Sequence, residues 1–432
     1  MKEKDLKSLE IEKLIRSSIF YNDYINIDLV GVFFHEIMIY ATNFYIIKNS
    51  EKKYYKKVNF PFLNSEYVQK LPKLNFKNVI DRKNSFLFKI LKFCQFFFIF
   101  SNSIELEDNS SFEKKIFFIK NFFKYRFNKS LNTKIFIKNK NQQIQNLRIL
   151  LEKIVIAIDI EDKDKENFIT NFINYVNSYI SKILIVSKSD VLIVGSNLNI
   201  ISRINSAIYL SEGKKVISFS HGEHSPVVLD EPAVGYGELS YCSDYIDYGR
   251  KLNYSQLKYV RPIFNFAKTH YRNSKIIKNY YKKHKNISSL NFNDSSKALY
   301  IPTLFASNER YGPFRDIEDD LYQEWQNSIM SLNYNITYKI HPKNQLEIRS
   351  KYRNSEIKNL KNVLHNYDIY LLDYISSASA LCVATNKPII YFNIGQRNLL
   401  KEAKELLKKR VFWVDIDLNK DLSGQINQAI KD

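Results

Sequence analysis

Six short, nearly continuous apolar runs decide what this chain can fold into: Val191-Leu192-Ile193-Val194, Val216-Ile217-Ser218-Phe219, Ala298-Leu299-Tyr300-Ile301, Ile336 to Ile340, Ile369-Tyr370-Leu371-Leu372 and Ile389-Ile390-Tyr391-Phe392. A strand with one wet face alternates apolar and polar residues. A run that is apolar throughout belongs to a strand covered on both faces, the condition of a parallel sheet. Helical segments are expected between the runs: about 200–210, stopped at Glu212-Gly213; 316–330, with Asp316, Glu318, Asp319 and Asp320 in its first turns; about 345–352; and one opened by Ser376-Ser377-Ala378-Ser379. Strand, helix and strand in that rhythm make the unit of a doubly wound α/β fold.

At 432 residues the chain is long for one core and suits two. The pattern places them at 1–265 and 297–432. The stretch 266–296 between them reads as a linker, because His270 to Asn291 is polar and basic with no apolar run. Before residue 145 few sharp signals occur. Residues 161–186 open on Glu161-Asp162-Lys163-Asp164 and continue with Phe168, Phe172, Ile173, Val176, Tyr179, Ile180 and Ile183 at helical spacing, an amphipathic helix.

The formal charge of +20 is unevenly spread: residues 51–150 hold 21 Lys and Arg against 7 Asp and Glu. Stretches such as Lys114-Lys115-Ile116-Phe117-Phe118-Ile119-Lys120 mix cations with aromatics, as a surface bound to an anionic inner membrane would. No nucleic-acid-binding signature accompanies them, so nucleic acid is not expected as a partner. Solvated lysines on helices are the plain alternative. The N-terminus lacks the apolar core of a signal peptide, and the greasiest stretch, 85–104, carries Lys89 and Lys92. Cys94, Cys242 and Cys382 stand far apart and make neither a zinc motif nor a disulfide framework. A cytoplasmic protein, at most peripheral to the membrane, is expected.

Ligands of doubly wound sheets lie beyond the C-terminal ends of the strands. Tyr338-Lys339-Ile340-His341-Pro342-Lys343 ends one strand, and Asp373-Tyr374-Ile375-Ser376-Ser377 joins another to a helix. His341, Lys339 and Lys343 are cations suited to a diphosphate or phosphodiester, Pro342 turns the chain, and Ser376 and Ser377 sit where free N–H groups favour an anion. The two elements are expected on successive strands, pointing into one cleft. Ser376 as a plain N-cap is the structural alternative. Arg310, in the loop Ser307 to Gly312, stands where it can pair with a phosphate or carboxylate.

The order His341-Pro342 after a strand, Ser376-Ser377 opening a helix, then Lys387-Pro388 and an apolar strand resembles the C-terminal half of bacterial GT-B glycosyltransferases of the capsule and lipopolysaccharide type. These include the CMP-Kdo and CMP-sialic acid transferases and the CDP-glycerol glycerophosphotransferases. The likeness covers roughly 190–395. It implies two Rossmann-like domains facing each other across a cleft, a cytidine-activated donor held by the His-Pro and Ser-Ser elements, and a polysaccharide or glycolipid acceptor. The sugar implied is Kdo-like or sialic-acid-like. The glycerophosphotransferases imply a polyol phosphate instead, and an intact phosphate site without a working carboxylate would mean a non-catalytic member of a capsule assembly complex.

Catalysis needs a carboxylate as base or nucleophile. The sialyltransferases carry an acidic pair followed by Gly; the nearest sequence here, Asp230-Glu231-Pro232, lacks that Gly. His221-Gly222-Glu223-His224 resembles the His-Gly turn of capsule-type transferases. Glu223, Asp230 and Glu231 all remain candidates, Glu223 being preferred because it follows a strand end with His221 and His224 beside it. A metal is not expected: the ligand set there is incomplete, and Asp415-Ile416-Asp417 is read as too late in the chain for a metal motif at a strand end. No cofactor is implied, and Walker A, GxGxxG and GxSxG motifs are missing.

Overall fold

A computed structural model describes residues 3–18, 28–49, 103–106, 126–128, 139–180, 189–195, 197, 200–220, 222, 227–229, 235, 238–248, 268–272, 277–278, 281–282, 296–303, 319–341, 352 and 354–431. The protein is α/β, and the described residues form two six-stranded parallel sheets.

The first sheet contains β1 (Ser103–Leu106), β2 (Arg126–Asn128), β3 (Val191–Val194), β4 (Lys215–Phe219), β5 (Asp244–Tyr248) and β6 (Lys268–Arg272), in the order β2-β1-β3-β4-β5-β6. Strands β3 and β4 are two of the apolar runs, joined by a helix over Ile200–Ser211 as the pattern demands. Strand β6 falls inside the stretch assigned to a linker. Its sequence, Lys-Thr-His-Tyr-Arg, carries no apolar signal because it is an edge strand, with Lys268 and His270 exposed. The first half therefore extends at least to Arg272, beyond the expected limit of 265.

A layer of helices accompanies this sheet: α1 (Glu3–Ser18), α2 (Leu29–Val32), α3 (Phe34–Asn49), α4 (Lys140–Ala157) and α5 (Asp162–Ile180). They share one core, in which Phe168, Phe172 and Val176 of the expected amphipathic helix are buried. Helix α6, the Ile200–Ser211 segment, lies between layer and sheet. It gives Ile200, Ile204 and Ala207 to the helical core and Tyr209 to a cluster with Leu192, Val194 and Val216.

Arg203 of α6 is fully enclosed. Its Nη2 donates to both carboxylate oxygens of Glu36 at 2.5 and 2.6 Å, and its Nε donates to the Val32 carbonyl at 2.8 Å. An unpaired charge at this depth costs several kcal/mol, so each partner requires the other.

The second sheet contains β7 (Ala298–Ile301), β8 (Ile336–Lys339), β9 (Ser355–Glu356), β10 (Ile369–Leu372), β11 (Ile389–Asn393) and β12 (Phe412–Asp415). Its order is β12-β11-β10-β7-β8-β9. The chain lays down β7, β8 and β9 in one direction, returns to the other side of β7, and lays down β10, β11 and β12 outward. This is the doubly wound order of nucleotide-binding sheets, with its reversal between β7 and β10. Four expected strands, β7, β8, β10 and β11, are buried along almost their whole length.

One face of this sheet is covered by α7 (Asp319–Met330) and the C-terminal helix Leu422–Lys431, through Tyr322, Trp325, Ile329, Leu422 and Ile426. The other is covered by α8 (Leu360–Val363) and α9 (Ser377–Val383), through Val363 and Cys382. Helix α10 (Lys401–Lys408) buries no residue and flanks the edge strand β12, where Lys404 and Lys408 lie 5.1 and 5.9 Å from the Trp413 ring centre. The helix expected over about 345–352 falls outside the described residues apart from Tyr352, as do the basic aromatic stretch 114–124 and most of 85–104. Among the described residues no helix is long and apolar enough to cross a membrane.

Arg203→Met is expected to destabilise the protein by about 3–5 kcal/mol in urea unfolding, because Glu36 is left as a buried lone charge. Replacing Glu36 with Met as well should restore most of that loss.

Candidate functional site

The sheet order reverses between β7 and β10, and a doubly wound sheet takes its ligand beyond the C-terminal ends of the strands at such a reversal. Residues 302–303 follow β7, and 373–377 follow β10 into α9. Ile340 and His341 follow β8. His341 and Ser376 therefore do not lie on successive strands: β7 stands between β8 and β10. Strands are spaced about 4.8 Å apart, so the two elements are separated by about 10 Å across the end of β7. The order reversal causes this separation, and a run of local motifs cannot reveal it.

Asp373 organises the strand ends at the reversal. It is wholly buried, and Oδ2 accepts from the Tyr300 hydroxyl and from Trp325 Nε1 at 3.0 Å. Its Oδ1 accepts from the Tyr322 hydroxyl at 3.2 Å, and that oxygen in turn accepts from the Thr303 backbone N–H at 2.9 Å. One carboxylate thus ties the loop after β7 to the loop after β10 through α7. Burial raises the carboxyl to about 6, and the three donors pull it back toward the ionised form. Tyr338 and Tyr352 extend the polar core, donating to Gln326 Oε1 and Asn327 Oδ1 at 2.9 Å.

The β10 loop is held from its other side. Arg397 donates to the Ile375 carbonyl at 3.0 Å and stacks its guanidinium 4.4 Å from the Tyr374 ring centre. To bring Arg397 back, the chain turns at Gly395, where φ is +80°. No atom lies within 4 Å of an added Cβ there, so conformation and not space requires the glycine.

Ser376 is an N-cap. Its hydroxyl accepts from Ala378 N at 3.2 Å, and Ser379 Oγ accepts from Ser376 N at 2.9 Å, a reciprocal capping box. Ser377 is half-buried at the first helical position. Lys339 turns inward. Its ammonium donates to the Ile340 and Glu356 carbonyls at 2.9 and 3.3 Å, fastening β8 to β9, and burial lowers its pKa. Pro342, Lys343 and Arg310 lie outside the described residues. Asp415-Ile416-Asp417 does stand at a strand end, that of β12. Asp415 Oδ1 is occupied there by Asn393 Nδ2 at 2.6 Å and Trp413 Nε1 at 2.9 Å, and Asp417 Oδ1 accepts from Asn419 N at 3.0 Å.

In the first sheet, His221, Glu223, Asp230 and Glu231 lie outside the described residues, while Ser220 and Gly222 on either side of His221 are placed. Ser220 N donates to Ile246 O at 3.0 Å and Ser220 Oγ to Gly222 O at 3.2 Å. Beside them Asp247 is buried and raised to about 6 by loss of hydration, while the Tyr248 backbone N–H, which donates to Asp247 Oδ1 at 2.8 Å, and Ser220 favour the charged form. The buried Glu238 accepts from the Tyr245 hydroxyl at 2.7 Å. Asn197, after β3, is a structural knot: it donates to Tyr241 O at 2.9 Å and accepts from Ser206 Oγ at 2.8 Å.

Sequence reasoning missed the Asp373 network, Thr303, Arg397 and Asp247. One signal was present: tyrosines within otherwise apolar strands carry hydroxyls that need buried partners, and Asp373 directly follows a strand. No protein-family model matches the chain, and no curated protein matches it in sequence.

Two measurements test this geometry. Moving a carboxyl from 3.8 to about 6 disfavours its ionised form by about 3 kcal/mol. A raised acid holds its proton longer in the folded state, so Asp373 stabilises most at low pH and that contribution is lost as pH rises from about 4 through 6. His35, lowered to about 4 mainly by burial, has the opposite slope over the same range, so the variant must be compared with wild type at each pH. The stability of Asp373→Asn relative to wild type should rise by up to about 3 kcal/mol between pH 4 and 6.5 in urea titrations; a constant difference contradicts the reading of Asp373. Separately, Ser376→Ala should lower stability by about 1 kcal/mol without any ligand, the usual loss of an N-cap.

Proposed function

We propose that the chain is a GT-B glycosyltransferase, its two Rossmann-like halves facing each other across a cleft, that uses a cytidine-activated donor of the CMP-Kdo or CMP-sialic acid kind. The observation that carries this reading is the second sheet's order with its reversal between β7 and β10. Thr303, residues 373–377 and, one strand further, His341 follow the C-terminal ends of β7, β10 and β8, and this position beside an order reversal supports the reading of a nucleotide site.

In this reading the donor's phosphate meets the Ser377 end of the β10 loop and the pyrimidine nucleotide extends across the end of β7 toward His341. A protonated imidazole or a hydroxyl there stabilises the charge gathering on the departing nucleotide. An acceptor hydroxyl forms a bond to the anomeric carbon while the bond from that carbon to the phosphate oxygen breaks, and CMP leaves with the electron pair. A carboxylate of the first half, Glu223 or else Asp230 or Glu231, takes the hydroxyl proton in a single-displacement route. The acceptor is a surface polysaccharide or glycolipid, and the basic, aromatic stretch 114–124 suits work at an anionic inner-membrane surface.

The test is a thermal-shift panel of CMP, CDP, UDP and GDP. A ligand confined to the folded state stabilises by about 2.7 kcal/mol at one hundred times its Kd. CMP should raise Tm most, and His341→Ala should weaken CMP binding in calorimetry by roughly 1–3 kcal/mol with the fold intact. Stronger binding of CDP would favour polyol-phosphate transfer, and no shift with any of the four overturns the proposal. Once transfer is measured, Glu223→Gln should slow it by roughly 10²–10⁴; full activity there with loss in Asp230→Asn or Glu231→Gln moves the proton acceptor to that pair.

A further inference from the structure

Between β4 and β5 the chain leaves the first sheet, enters the core of the second half, and returns. Ser220 is bonded to β5 through Ile246 O. By Val227 the chain lies against residues 398–400: Leu229 N donates to Asn398 O at 2.7 Å, Leu400 N donates to Val227 O at 3.0 Å, and Val228 forms an antiparallel bridge with Leu399. Val228 is only 3% exposed and belongs to the same apolar cluster as Leu299, Ile301, Ile375 and Tyr391. By Leu239 the chain is back in the first half, packed with Leu192, Val194 and Val216.

Three features argue that this contact is built and not incidental. The segment contributes a buried side chain to the other half's core, where a surface contact would leave it wet. Both hydrogen bonds flank a non-hydrogen-bonded pair, the register in which opposed side chains approach most closely. Its landing site is also fixed in place, because Arg397 holds Ile375 O and Tyr374, and Leu400 O accepts from Lys404 N at 2.9 Å to start α10.

We propose that Val227–Leu229 is a clamp that joins the two halves into one cooperative unit and ties the segment between β4 and β5 to the loop after β11. It requires no ligand, so it stands or fails separately from the glycosyltransferase reading. Because the clamp is part of the second half's core, neither half can open without breaking it.

Both tryptophans, Trp325 and Trp413, lie in the second half, so their fluorescence reports that half alone. In wild type the urea transition followed by fluorescence should coincide with loss of amide-exchange protection in β3 and β4. Val228→Asp should separate the two transitions and speed exchange at residues 399–400 by at least about tenfold. In a Cys94→Ser background, with the native Cys242 and Cys382 both buried, Val228→Cys/Leu399→Cys should form a disulfide under mild oxidation, since non-hydrogen-bonded pairs meet its Cα separation. Oxidation should then make the two transitions coincide. If Val228→Asp fails to fold, the disulfide variant decides alone. A folded double-cysteine protein that stays reduced, or wild-type transitions that are already separate, overturns the clamp.

Discussion

The second half is organised around a carboxylate in a place where a carboxylate is costly. Asp373 sits at the point where the sheet reverses its order, enclosed by Tyr300, Tyr322 and Trp325. A buried charge persists only when its lone pairs are met. Here the three donors come from β7 and α7, so the same bonds that keep the carboxylate soluble in the core also join the elements on either side of the reversal. Remove that bonding and Thr303, held by the Tyr322 hydroxyl, loses its tie to Asp373 at the end of β10. The strand ends at the order reversal are therefore tied together from within by a polar core.

Inward-turned cations, Lys339 and Lys387 buried and Arg410 half-buried, repeat the pattern at the periphery of the sheet. Lys339 fastens β8 to β9. Lys387 donates to the carbonyls of His365, at 3.1 Å, and Tyr367, and Arg410 binds the carbonyls of Val383, Thr385 and Lys387. Each places a long side chain along apolar surface and its charge among peptide oxygens. In a chain with so few glycines and prolines, 10 and 9 of 432, turns are held by such side chains as much as by turn residues.

What the sequence made legible follows from this physics. Val191–Val194, Ala298–Ile301 and Ile369–Leu372 are apolar at every position because both faces are covered, and their placement needed nothing else. Among the strands that escaped notice, Asp244–Tyr248 carries two carboxylates that mask its pattern, Asp244 meeting Lys215 at 3.0 Å and His270 at 2.9 Å and Asp247 buried, while Lys268–Arg272 and Ser355–Glu356 are polar strands at the ends of their sheets. Strand order lay beyond reach because pairing partners are remote in sequence: β10 joins β7 across some seventy residues. The site divided in the same way. Ser376 at a helix start was readable; Lys339, which looked like a cation for a ligand, differs from one only in where its ammonium points.

The outermost strand of the second sheet has a consequence for how copies of this chain meet. One side of β12 pairs with β11 and, among the described residues, no strand lies on the other, so its peptide groups offer a template for pairing. Phe412 is 46% exposed and adds an adhesive surface. Lys404 and Lys408, drawn over Trp413 by its ring, set two ammonium groups beside that border. A strand pairing there would have to strip both of water, and lysines at a sheet edge are among the features that oppose such pairing.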